Sequence, residues 1–327
     1  MFATFLLNHL GEQKNFSLFA RKLNNTMNMT DTIPTGRNMS GLDRKDFQKN
    51  INSKRTDLYI LRNALGMEVA VTNYGCAILS IMVPDKNGNY ANVVLGHDSI
   101  EHVINSPEPF LSTTIGRYGN RIANGKFTLY GEEHLLAVNN GPNSLHGGPT
   151  GFHARVWDAV QPNESTVIFN YTSPDGEEGF PGTLEVEMTY RLEDETNALV
   201  IEYRATTDKA TVVNLTNHGF FNLAGISTPT PTVLDNILTI NADYYVPIDE
   251  VSIPTGEILK VEGTPMDFRT PHTIGERIDD KFQQLVNGTG YDHCYVLNKT
   301  ESGELSLAAT CTEPVSGRTM QVYTTEN

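Results

Sequence analysis

The sequence predicts an all-β protein, a large antiparallel β-sandwich with few short helices. Three observations carry that prediction. Val186, Met188, Tyr190 and Leu192 alternate with Glu185, Glu187, Thr189 and Arg191, and Leu199, Ile201, Tyr203 and Ala205 repeat the pattern. A period of two with one wet face is the mark of half-buried strands. Turn signals rich in Asn, Asp and Gly recur from Thr56 onward. Strand and helix patterns do not alternate, which argues against a doubly wound α/β fold.

Taken in order, Leu58, Tyr59, Ile60 and Leu61 open the strands, and Asn63, Ala64, Leu65 and Gly66 turn the chain. Residues 67–73 return, with Val69 and Val71 on one side. Residues 78–83 are apolar and β-branched, and Asp85, Lys86, Asn87, Gly88 and Asn89 hold an Asn-Gly hairpin signal. Residues 93–96 predict a short buried strand, and 98–105 a short turn of helix. Val167, Phe169 and Tyr171 alternate with Ile168 and Asn170. The segments on either side of the turn at 194–197 predict a hairpin. One longer helix is expected from Thr270 and Pro271, through Ile274, Ile278, Phe282 and Leu285, to a stop at Asn287 and Gly288. Residues 318–325 read as a final strand. Residues 1–40 read as an irregular N-terminal extension, and 41–327 as one β-sandwich domain.

The 327 residues carry a net charge of −15. That balance argues against nucleic-acid and anionic-membrane partners, which call for a basic face, and disfavours a heavily phosphorylated substrate. A neutral small molecule fits. Cys76, Cys294 and Cys311 are odd in number and far apart. No disulfide framework or structural zinc is expected, and a reducing, cytoplasmic compartment is the natural reading, with periplasm or export still open. No apolar run approaches the roughly 20 residues that span a bilayer. The apolar patch at the start of the chain lacks a basic leader and a small-residue cleavage site. His146 and His153 stand seven apart and His218 is isolated, with no H-E-x-x-H pattern, so no metal is expected. Without G-x-S-x-G, a serine triad is poorly supported.

Four clusters carry candidate chemistry. Asn214, Leu215, Thr216, Asn217, His218, Gly219, Phe220, Phe221, Asn222 and Leu223 place a histidine and three asparagines among large apolar residues. Such polar density suits a strand lining a pocket, because buried polar groups need partners. Gly116, Arg117, Tyr118, Gly119, Asn120, Arg121 and Ile122 offer donors to ligand oxygens, and a loop of arginines paired with acids serves equally. Asn139, Asn140, Gly141, Pro142, Asn143, Ser144, Leu145, His146, Gly147 and Gly148 let a ligand approach the backbone, or form a plain turn. Gly290, Tyr291, Asp292 and His293 offer a carboxylate for sugar hydroxyls and a tyrosine to stack on a ring, or an Asx-turn.

Together, and in this order along the chain, these words resemble the aldose 1-epimerase (galactose mutarotase) family. Weaker matches are Thr72, Asn73, Tyr74 and Gly75, and the region from Phe152 to Trp157. The resemblance runs from about Leu58 to Asn327 and implies the galactose mutarotase-like supersandwich. It also implies interconversion of the α and β anomers of free aldoses such as galactose and glucose, with no cofactor. Carried over by motif, His218 is the general acid, a role that a histidine near neutral pKa suits. His146 assists it, and Asn120, Arg121 and Asp292 bind hydroxyls. The family's general base is a glutamate in an L-E-T-Q motif after Q-x-Y-T-G-N, and neither word occurs in residues 1–327. The expectation is therefore a C-terminally truncated member whose last strands and base are missing. A sugar-binding module without catalysis and a hexose-phosphate 1-epimerase are the alternatives, and oligomeric state stays open between monomer and dimer.

Overall fold

A computed structural model describes residues 38–227 and 232–326. The expected irregular extension falls largely on residues 1–37, outside the described residues. From Asn38 on the chain is tied to the body: the Ser40 amide donates to the Glu68 carboxylate at 3.1 Å, and that buried carboxylate also pairs with Arg62 at 2.9 Å.

Three four-stranded antiparallel sheets make the frame. The first runs Leu58–Arg62, Glu68–Thr72, Ile78–Pro84 and Tyr90–Asn92 in sequence order. Its last turn is the Asn-Gly turn, where the Asp85 carboxylate accepts from the Asn87 and Asn89 amides at 2.8 Å each. The second runs Asp158–Asn163, Thr166–Ser173, Leu184–Leu192 and Leu199–Thr207. Its central hairpin has the expected register, with Tyr190 opposite Ile201 and Met188 opposite Tyr203. The third orders His272–Thr273, Ile237–Ile240, Ser306–Thr312 and Thr319–Thr324. The final strand is thus present, paired on one side with Ser306–Thr312.

The inner faces of the first two sheets close on one core. Val69, Val71, Ile78 and Ile81 from one meet Val167, Phe169, Val186, Met188, Tyr190 and Ile201 from the other, and Trp157 is wholly enclosed among them. Cys311 and Met320 of the third sheet pack against the same core. Alternation produces this arrangement: every second residue from Leu184 to Leu192 is buried.

One polar thread crosses the core. Asn217 donates through Nδ2 to the Tyr190 hydroxyl at 2.8 Å, and that hydroxyl donates to the Cys76 carbonyl at 2.9 Å. Tyr190→Phe removes the hydroxyl and keeps the ring, stranding a donor and an acceptor. A loss of about 1–3 kcal/mol is expected, read as a lower urea midpoint with an unchanged slope.

Two expectations need correction. The long helix from Thr270 to Gly288 does not form. His272 and Thr273 pair with Leu238 and Ile237, and the amides of Ile274 and Gly275 donate to the carbonyls of Asn236 and Leu234. Those bonds use backbone donors that a helix would need. A 3-10 turn at Ile274–Glu276 and a short α-helix at Gln283–Gly288 remain, with Phe282 extended between them. The stop does fall at Gly288, capped by Thr289 in the left-handed region. The second correction concerns residues 93–96. Val93 and Val94 are buried, but only one bridge, Val94 to Phe221, replaces the expected strand, and Leu95 is exposed. The short helix did form, at Ile100–Ile104, with the Ser99 side chain accepting from the His102 amide. Among the described residues no helix is long and apolar enough to cross a membrane.

Candidate active site

The polar stretch from Asn214 to Leu223, expected as a strand lining a pocket, is mostly not a strand. Only Thr216–Asn217 forms a strand, paired with Ile115 and Thr114; Asn214 and Phe221 make single bridges to Tyr118 and Val94, and the His218 amide donates to Thr113 O at 2.9 Å. Its asparagines do structural work. Asn214 donates to Gly119 O, Asn217 to Tyr190, and the Asn222 side chain accepts from the Ala224 amide. His218 is the member of the stretch that meets the other histidines. Its ring lies 4.8 Å from that of His146, centroid to centroid, at 76°.

His146 sits on a short ladder in which Ser144–Leu145 pairs with Arg121–Ile122. Both His146 and Asn120 hold positive φ, 54° and 68°. Their segments lock together: the His146 amide donates to Asn120 O at 3.0 Å, and the Asn120 amide donates to His146 Nδ1 at 2.9 Å. An Nδ1 that accepts places the ring proton on Nε2, so His146 keeps one donor for a ligand oxygen. Gly147 is needed here. A Cβ on it would stand 1.9 Å from Gly116 O, at φ 85°.

Asn120 Oδ1 accepts from the Arg121 amide at 2.8 Å, and Nδ2 reaches Cys294 Sγ at 3.7 Å. Arg121 Nε donates to Asn140 Oδ1 at 3.0 Å, and its Nη1 stands 3.9 Å from Asp292. The five residues expected from the sequence therefore form one run of neighbours, from His218 through His146, Asn120 and Arg121 to Asp292.

Other motif residues turn away. Arg117 is buried and donates to Ser173 Oγ and to the carbonyls of Ser173, Pro174 and Pro181. It anchors the loop that carries Asn120 and Arg121. Tyr291, expected as a stacking ring, packs on Phe268 at 5.0 Å and donates to Pro265 O. His293 bonds Gln284 at 3.1 Å. Sequence reasoning missed Phe110, which touches three imidazoles, and the hold of Asn140 on Arg121. No motif signal marks Phe110. Asn140 stood inside a noticed cluster without a role.

Burial governs the electrostatics. His218 is pushed down to about 4, chiefly by burial, with the His153 imidazole adding to the effect. Burial and the neighbouring His218 and Arg121 hold His146 well below its ordinary value. The expectation of a near-neutral acid therefore fails for the free protein: at pH 7 His218 is an uncharged imidazole. Among the described residues no cluster of three His, Cys, Asp or Glu could hold a metal ion.

Residues 57–327 match the family model of aldose 1-epimerase. The chain belongs to the aldose 1-epimerase family. Galactose mutarotase of Bos taurus is 42% identical over 260 residues, 80% of this chain and 72% of the relative. Aldose 1-epimerase of Escherichia coli K12 is 40% identical over 269 residues, 82% and 75% of the two chains. The solved structure of a galactose 1-epimerase from Lactobacillus acidophilus NCFM superposes with a TM-score of 0.71 at 31% identity, covering 81% of this chain and 75% of its own. The fold reading agrees: the family's sandwich is the architecture described above.

Proposed function

We infer that the chain is an aldose 1-epimerase that interconverts the α and β anomers of free hexoses such as galactose and glucose. The observation that carries the reading is the run of contacts from His218 to Asp292, which gathers proton donors and hydroxyl-binding groups on one wall. In the proposed reaction a base takes the C1 hydroxyl proton while His218 gives a proton to the ring oxygen. The C1–ring-oxygen bond breaks and the open aldehyde forms. Rotation about C1–C2 and reversal of both transfers close the other anomer. His146 donates through Nε2–H to a sugar oxygen, and Asn120, Arg121 and Asp292 hold hydroxyls.

His218 begins neutral. A nearby carboxylate raises the proton affinity of an imidazole, and the acid role asks for such a neighbour in the complex. The resemblance places that base in an L-E-T-Q motif that residues 1–327 do not contain. Our proposal assigns the acid and the sugar-binding groups of the site to residues of this chain. The Arg121–Asp292 pairing favours a neutral hexose over a phosphate, and the buried free thiols fit a cytoplasmic setting.

Polarimetry of fresh α-D-galactose and α-D-glucose tests the reading, with the chain alone and with an appended segment bearing L-E-T-Q. Faster mutarotation with the segment is expected. Saturable sugar binding by calorimetry without turnover in either form points instead to a binding module. Turnover of a hexose phosphate but not of free hexose moves the substrate class.

A further inference from the structure

Phe110 stands among three imidazoles. Its ring centroid is 4.8 Å from His146 and 4.6 Å from His153, edge-on to both at 73° and 65°, and 6.1 Å from His218. We propose that Phe110 is a positioning residue for the anomer exchange, an apolar post that fixes the angles at which His146 and His218 face the sugar. The inference rests on the epimerase reading for its catalytic consequence and on this geometry for its structural content.

The backbone around Phe110 supports it. The Thr113 amide and hydroxyl donate to Phe110 O at 3.2 and 3.1 Å, and Thr113 O accepts from the His218 amide. The next link returns the bond: the Ser112 amide donates to His218 O at 3.0 Å, and Ser112 Oγ donates to Leu95 O. The segment that presents the ring is therefore the segment that holds His218. Ser112 keeps φ at 54° in that turn, a conformation a serine holds only where its surroundings impose it. Asn120 and His146 share this left-handed state. Positive-φ residues other than glycine thus stand in three turns around the site, at Ser112, Asn120 and His146.

A ring edge against an imidazole sets direction as well as bulk, because aromatic pairs prefer the T-shaped geometry. It also keeps water from the gap between the rings. The other groups facing His146 are the Asn120 amide, Arg121, His153 and His218, with Asp292 beyond Arg121. Arg121 is the charged one that bears on it directly, and it repels a proton from the ring. Water admitted beside His146 and His218 relieves their desolvation, so both should take up protons at higher pH.

Phe110→Leu keeps apolar bulk and loses the ring, whereas Phe110→Tyr keeps the ring. Imidazole titrations by NMR and mutarotation kinetics are run on parent and variants. For Phe110→Leu we expect the His146 and His218 midpoints to rise toward the ordinary value, and kcat to fall about 10²-fold with KM within about threefold. Phe110→Tyr should stay near the parent in both. A folded Phe110→Leu with parent midpoints and parent kcat overturns the proposal. If that variant does not fold, Phe110→Met is judged by the same criteria. If no form of the protein speeds mutarotation, the epimerase reading fails, while the imidazole midpoints still decide the role of Phe110.

Discussion

His218→Gln is expected to slow protein-dependent mutarotation of α-D-galactose by about 10²–10⁴-fold, the usual cost of losing a general acid or base. In barrier terms that is about 3–5 kcal/mol. Glutamine keeps a hydrogen-bond donor but transfers no proton, so the loss should fall on kcat more than on KM. The fold should tolerate the change, because the backbone amide of His218 is held by Thr113 and its carbonyl by Ser112. His146→Gln should cost less, since His146 donates a hydrogen bond and is not asked to give up its proton. The assay is polarimetry on the form of the protein that shows turnover. Parent-like acceleration by His218→Gln removes His218 from the acid role.

The second large effect is on stability in mild acid. His153, His218 and His293 are each pushed down to about 4, in every case chiefly by burial, and His146 lies well below its ordinary value. In the unfolded chain a histidine titrates near 6.5. Between these limits the unfolded state binds protons that the folded state refuses, so unfolding becomes easier as pH falls. The contribution of each neutral histidine is complete above about 6.5 and is lost progressively down to about 4. One pKa unit corresponds to about 1.4 kcal/mol, so each of the three histidines accounts for about 3 kcal/mol across that window. Carboxylates such as Asp57 and Glu313, where burial pushes up but hydrogen bonds and nearby arginines outweigh it and leave each below its ordinary value, act at lower pH and do not mask the trend. Urea unfolding at pH 7.5, 5.5 and 4.5 reads the effect directly. A free energy that stays flat over this range contradicts the assignment of buried, neutral imidazoles. His218→Gln should make the decline shallower by its own share.

The parts of the fold that sequence made legible are those where one face is wet. The hairpin of Leu184–Leu192 with Leu199–Thr207 has a two-residue period because solvent touches alternate positions. The spacing of Ile274, Ile278, Phe282 and Leu285 misleads for the converse reason. Ile274 lies in a 3-10 turn, Ile278 in a further turn, Phe282 in an extended link and Leu285 in a short helix, and their spacing has no helical cause. The site was legible through the order of its motifs. Polar density was a poorer guide: Asn214, Asn217 and Asn222 fasten backbone and core, and only His218 of that stretch faces the other imidazoles. Phe110 left no trace in pattern because its partners are distant in sequence and a lone phenylalanine resembles any core residue.

Arg117 gives this wall a property that belongs to timing. Its guanidinium bonds one hydroxyl and three carbonyls between Ser173 and Pro181, and three residues later the chain delivers Asn120. Opening the loop means breaking several charge-assisted bonds at once, with no gradual route between. A lysine cannot reproduce the fork of donors that makes this possible. The entropy of ordering the loop that carries Asn120 and Arg121 is therefore lost once, when the protein folds, and on the proposed reading little of it falls on each encounter with a sugar.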